Sequence, residues 1–369
     1  MTIIDADYLK NYDGPDLRIM EVCGTHTSAI FKSGIRSLLS PKIRLVSGPG
    51  CPVCVTVPSY IDQCIEISII PGHELLCFGD LLKVPGTERS LSDAKGAGGR
   101  VRMIWSPFDA LALAEREPET VFVVAAIGFE TTAPAFALLL EEAAARGIKN
   151  IKLLTSLKSA LTAIEWVCAA GEAVDAFLCP GHVSVVTGAD AYIPLAEKYN
   201  KPFIVAGFEG EHMLAAITAA VEDASEGRGI VRNLYPEAVS AQGNIKAKEI
   251  TERYFDLDTA VWRGLGSVPG SGYYLKEKYN AYDMDILRKV DCFFADTNRN
   301  DDSNNIEADI AAHNADLPQG CRCGDVILGR IDPDECPLFG AACTPTHSVG
   351  PCMVSSEGAC GTWYRGKDY

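Results

Sequence analysis

Short apolar runs alternate with stretches of helical period over the first two thirds of the chain. Leu17–Val22, Ile43–Val46, Leu75–Phe78 and Val101–Trp105 have the length and composition of strands. Between them, Ser28–Leu39 has helical spacing, and Pro58 opens a predicted helix to about Ile69, proline being tolerated in a first turn. Ser106 and Pro107 begin another, running to about Glu117. Thr120–Ile127 is almost wholly apolar, the pattern of a parallel strand covered on both faces. Ile151–Leu154, Ala176–Leu178 and Phe203–Ala206 continue the series. Helices are expected to end near Gly147, to run from about Lys158 to Ala170, and to start at Glu211.

This alternation predicts an α/β fold built from two similar, mostly parallel sheet layers with a cleft between them. The echo of Gly-Phe-Glu at 128–130 and 207–209, each after a strand, points to the same two layers. From about Leu234 the texture changes. Gly264, Gly266, Pro269, Gly270 and Gly272 predict an irregular stretch, and Asp296–Asn305 reads as a polar loop. Consecutive segments are therefore expected at 1–115, 116–235 and 236–369, the last a smaller cysteine-rich domain.

The charge balance narrows the classes of partner. A formal net charge of −16 lacks the basic face that a nucleic-acid binder needs. No apolar run approaches the roughly 18–20 residues that span a bilayer, and the first residues resemble no signal peptide. A cytoplasmic protein without a membrane role is expected. In that reducing compartment, fourteen cysteines point to metal or redox chemistry rather than to structural disulfides.

The distinctive motifs fall just after predicted strands, hence together at the carboxyl edge of an open sheet, where ligands bind. Cys23-Gly24-Thr25-His26-Thr27 follows the first strand and puts Cys23 at a helix N-terminus, where the dipole favours thiolate. A capping turn with a buried cysteine is the plainer alternative. Cys51-Pro-Val-Cys54 lies between strand and helix, as a dithiol redox site does, and no second CxxC exists to complete a zinc ribbon. Glu130 and His182 lie on loops at strand ends, where each could tune a metal or simply brace its loop. Cys64, Cys77, Cys168, Cys179 and Cys292 read as small packed hydrophobes. His73, His212, His313 and His347 read as solvated or satisfied.

The last 49 residues hold Cys321, Cys323, Cys336, Cys343, Cys352 and Cys360 among prolines and glycines that break regular structure. Six exceeds by two what one tetrahedral zinc or one 4Fe–4S cluster needs. Cluster, zinc and mixed redox thiols are all open on spacing. The leftover pair and the proline-rich turns favour an iron–sulfur cluster with a dithiol beside it.

Together, CGTHT at 23–27, GPGCPVCVT at 48–56, GFETTAP at 128–134, PGHVS at 180–184 and the LFGAACTP and GPCMVSSEGAC tail resemble the HypD family of hydrogenase maturation factors. The likeness spans essentially the whole chain. It implies a scaffold for building the Fe(CN)2CO unit of nickel–iron hydrogenases. A HypC-type small chaperone would share the mononuclear iron, and a HypE-type donor would deliver cyanide as a thiocyanate. The resemblance implies Cys23 as iron ligand, with His26 beside it, and Cys51 and Cys54 as a redox pair. It further implies Cys321, Cys336, Cys343 and Cys360 around a 4Fe–4S cluster, leaving Cys323 and Cys352 as the neighbouring dithiol. A stand-alone 4Fe–4S thiol–disulfide oxidoreductase and a zinc-stabilised binding module are the rival readings.

Overall fold

Eleven strands are found among residues 6–284 and 317–367, which a computed structural model of the chain describes. In chain order they are β1 (Leu17–Glu21), β2 (Ile43–Ser47), β3 (His73–Cys77), β4 (Val101–Met103), β5 (Val121–Gly128) and β6 (Ile151–Lys158). The rest are β7 (Ala176–Pro180), β8 (Phe203–Ala206), β9 (Val231–Asn233), β10 (Phe255–Trp262) and β11 (Gly266–Leu275). They form two sheets, ordered β2-β1-β7-β8-β9 and β10-β11-β6-β5-β3-β4. The architecture is α/β with two predominantly parallel sheets and a cysteine-rich C-terminal region. The loop expected at Asp296–Asn305, with Cys292 and His313, lies outside the described residues.

The chain divides into two units, each assembled from discontinuous segments. The first takes described residues up to 51, then 160–245 and 317–367; the second takes 52–159 and those from 246 to 284. The consecutive segments expected from sequence do not follow the sheets, because β3 and β4 pair into the same sheet as β5 and β6.

In the first unit every neighbouring pair of strands is parallel, so β1, β2, β7 and β8 all finish at one edge. Ile19, Leu45, Leu178 and Ile204 from those strands pack with Met213, Ile217 and Ala220 of the helix Gly210–Ser225, all without solvent exposure. That helix starts where Gly207-Phe208-Glu209 leaves β8. The helix after β1 begins at Gly24, four residues earlier than its periodicity indicates, with Cys23 in extended geometry as its N-cap.

The second unit has a parallel portion, β4-β3-β5-β6, extended by antiparallel β11 and β10. The apolar run of β5 is buried along nearly its whole length, as its composition predicts. Phe122 and Val124 meet Phe136, Leu139 and Leu140 of the helix Ala133–Ala145.

The stretch around Gly264–Gly272, expected to be irregular, is a hairpin instead. Gly264 and Gly266 take φ of 84° and 83° at the turn, conformations that side chains disfavour, and free the flanking residues to pair. A register shift between Asp258 and Ala260 accommodates the extra residues. The glycines that looked like breakers are hairpin chemistry. Among the described residues, no helix is long and apolar enough to cross a membrane.

Candidate functional site

The carboxyl edge of the first sheet gathers Cys23 after β1, Cys51 after β2, His182 after β7 and Phe208 after β8. Parallel pairing alone brings these four turns to one edge. Gly50 then fixes the separation of two of them: a side chain on it would come within 2.6 Å of the Cys23 backbone nitrogen. Cys51 is therefore one residue from a close contact with the Cys23 turn.

Cys23 is half-buried. Burial pushes its thiol up, against the backbone N–H groups of His26 and Thr25, which point at the sulfur and favour thiolate. The lowered thiol expected from the helix terminus is thus overturned, because desolvation outweighs the N-terminal donors.

His26 is fully buried, and its Nε2 lies 3.3 Å from the Ala206 carbonyl oxygen. A carbonyl only accepts, so Nε2 carries the hydrogen and Nδ1 presents a bare lone pair. Nδ1 is buried without a hydrogen-bond partner. Burial, reinforced by the nearby His182, pushes the imidazole down to about 4 and keeps it neutral. Phe208 sits against both imidazoles, 4.1 Å from the exposed His182 ring and 5.1 Å from His26.

Two further groups stand at this edge that sequence reasoning missed. Glu21, the last residue of β1, is 1% exposed, receives a hydrogen bond from Ser47 Oγ at 3.3 Å and pairs with Arg36 at 3.4 Å. Burial, only partly offset by Arg36, raises its carboxyl to about 7. A carboxylate inside the apolar run Leu17–Val22 was the available signal. His212, read as solvated or satisfied, has a buried Nδ1 without a partner and a ring 5.9 Å from Tyr235.

The cysteine-rich tail packs onto the same unit. Trp363 lies edge-on to Phe31 at 5.2 Å, with the Arg36 guanidinium 4.5 Å over its ring. Arg44 pairs with Asp332 and Glu335, and Arg330 with Glu172. Arg18 donates to the Gly329 carbonyl, while Gly329 itself sits against Val46 and Met20.

Within the tail, Cys323 and Cys352 form a disulfide, and Cys321, Cys336, Cys343 and Cys360 stand outside it. Cys360 lies close enough to Cys321, Cys343 and Cys336 for their sulfurs to bear on it. Burial first, then the Cys321, Cys343 and Cys336 sulfurs, push the Cys360 thiol well above its usual range. The Val349 N–H points at Cys343 Sγ from 3.4 Å, and a side chain on the next residue, Gly350, would meet Cys321 Sγ at 2.7 Å. Among the described residues, no three of the histidine, cysteine and acidic side chains close on a point as a single metal ion requires.

Two predicted site residues belong to the second unit. Glu130 is buried and accepts a hydrogen bond from Ser159 Oγ at 2.8 Å. Cys54 is almost wholly buried, just inside the point where the chain enters that unit. Cys64, Cys77, Cys168 and Cys179 are packed in the two interiors. Burial pushes Cys77 and Cys168 up to about 12 and holds Cys64 and Cys179 well above the usual thiol range, so all four are inert thiols.

The first unit is therefore a parallel-sheet scaffold that presents a Cys–His turn beside a tail with a disulfide and four further cysteines, three of which bear on Cys360. This is the class of thiol-rich α/β proteins. The model of the HypD family, described as the hydrogenase formation hypA family, matches residues 5–367. The hydrogenase maturation factor HypD of Azotobacter vinelandii is 41% identical over 98% of this chain and 90% of its own length. Its namesakes from Escherichia coli and Rhodobacter capsulatus are each 38% identical, over 98% of this chain and 92% of their own length. The chain belongs to the HypD family of hydrogenase maturation factors.

Proposed function

We propose that this protein is the cytoplasmic scaffold on which the Fe(CN)2CO unit of nickel–iron hydrogenase is assembled, and that it also supplies the reducing equivalents. The iron is cargo, shared with a HypC-type small chaperone and given cyanide by a HypE-type donor. Cys23 is its thiolate ligand, suited to a soft low-spin ion. His26 is the second donor at the turn: a ring held through Nε2–H to a backbone carbonyl, with Nδ1 bare, has the arrangement of a metal-binding histidine.

The carrying observation is the tail. Cys321, Cys336 and Cys343 bear on Cys360 while Cys323 and Cys352 are already paired, in the unit that also carries Cys23. Four thiols with a spare dithiol fit a 4Fe–4S cluster held by Cys321, Cys336, Cys343 and Cys360, because a cubane spreads its ligands more widely than a single ion does. When bound, that cluster supplies electrons one at a time.

Cyanide transfer needs two electrons. A protein thiocyanate R–S–CN takes up two electrons to give a thiolate and cyanide. Oxidation of the Cys51–Cys54 dithiol to a disulfide yields two electrons and two protons, so the exchange balances. The Cys323–Cys352 disulfide can hold another such pair once it is reduced to a dithiol. His182 remains as a group that tunes the iron or its ligands from its strand end.

Anaerobic co-purification with the small chaperone tests this reading. The complex is expected to be brown, with iron and sulfide at about four each per chain for the cluster. It should show infrared bands of metal-bound cyanide and carbonyl that Cys23→Ala abolishes. A colourless zinc-loaded protein, or bands that survive Cys23→Ala, overturns it.

A further inference from the structure

We propose that the second unit holds a binding site for one small carboxylate-like anion, between the first turn of the helix Pro58–Ile69 and the end of β6. The cavity there leaves about 30 Å³ that water-sized groups can occupy. At roughly 10–15 Å³ for each water, that is room for two or three waters, the size of formate or acetate.

Three features of its lining select negative charge. Lys158 contributes an ammonium from a side chain in a residue only 4% exposed. Its Nζ donates to the Val261 carbonyl at 3.1 Å and lies 5.6 Å over the Trp262 ring. In so sheltered a place, Coulomb attraction to an anion is far stronger than in water. Val57 and Ser59 contribute the start of a twelve-residue helix, whose N-cap Val57 offers no side-chain acceptor, so the positive end of the dipole faces the cavity uncapped.

The third feature is independent of the first two. Gln63, one turn further along the helix, is 4% exposed, and its Nε2 is buried without a hydrogen-bond partner. An unsatisfied buried amide is expensive, and an acceptor bound in the cavity it lines removes that penalty. Thr155 adds a hydroxyl to the wall, and among the described residues no acidic one lines the cavity. Cation, helix terminus and unsatisfied donor converge on one small volume.

Titration of the full-length protein with ¹³C-labelled formate, followed by NMR and by thermal melting, tests the site. Saturable binding of one formate per chain is expected, together with a rise in melting temperature. Lys158→Met should weaken binding by about tenfold or more, the loss of one charge-assisted contact. Gln63→Leu, which keeps the charge, should weaken it severalfold. That variant decides the matter if Lys158→Met fails to fold. No saturable response, or unchanged affinity in folded Gln63→Leu, overturns the proposal.

Discussion

The backbone carbonyl of Glu357 occupies the space that a side chain on Gly24 would need. Gly24 follows Cys23 directly, so a close backbone contact, rather than a long flexible side chain, seats the tail against the Cys–His turn.

Gly24→Ala should therefore force the tail and the turn apart. Overpacking of this kind typically costs about 1–3 kcal/mol, and neither neighbour here is a flexible side-chain end. A lowered urea midpoint is expected. Gly96→Ala is the control: nothing lies within 4 Å of its added carbon and it ends a helix, so stability should hold or rise slightly. Equal midpoints for Gly24→Ala and the parent protein would remove the interlock.

The pH dependence of stability should carry the mark of two buried groups with opposite signs. His26 titrates near 4 when folded, below the usual 6.5, so the unfolded chain takes the proton first as pH falls. Its contribution is complete above about pH 6.5 and lost toward pH 4, by about 3 kcal/mol. Glu21 titrates near 7 when folded, above the usual 4.5. Its contribution is complete below about pH 4.5 and lost as pH rises through 7. Urea midpoints from pH 4 to 8 should then steepen on the acid side in Glu21→Gln and flatten there in His26→Gln. The reverse pattern would refute both assignments.

Reduction should loosen the tail. The Cys323–Cys352 bond joins residues 29 apart, and closing a loop of that length stabilises by about 3–4 kcal/mol in the chain-entropy account. Proteolysis of residues beyond 317 should accelerate when reductant is added to the parent protein. In Cys323→Ser/Cys352→Ser the rate should be high throughout and insensitive to reductant. A parent protein indifferent to reductant would show the bond to be structurally idle.

The second unit should depend heavily on Trp262. It is fully buried, stacks on Phe129 at 5.8 Å and donates from Nε1 to Ser271 Oγ at 2.7 Å. Trp262→Ala should cost about 3–5 kcal/mol, the usual range for a truncated buried aromatic. Trp262→Phe should recover much of that by refilling volume while leaving the hydrogen bond unmade. The ordering of the three urea midpoints checks it.

Much of the fold was legible because it rests on local pattern. The strands at 43–47 and 203–206 and the helix Pro58–Ile69 lie where period and proline placement put them. The hairpin around Gly264 was not legible, since the glycines that permit a tight turn also mark disordered loops. At the site, strand-end position picked out Cys23, Cys51 and His182. Glu21 and His212 escaped notice because each sits in an ordinary element and becomes unusual only through burial. The raised thiol of Cys23 is illegible for the same reason: a helix terminus is visible in sequence, while the desolvation that outweighs it is not.

By itself, then, the sequence determined the α/β alternation, the strand-end turns that bear cysteine and histidine, and the supply of six sulfurs in a tail too broken to fold alone. Only the tertiary structure decided that β1, flanked by β2, pairs with β7 rather than with β3, that Cys323 pairs with Cys352, and that the tail lies on the Gly24 turn. Periodicity records which face of an element avoids water. Its partner is chosen by fitting surfaces that lie hundreds of residues apart, and no local pattern carries that choice.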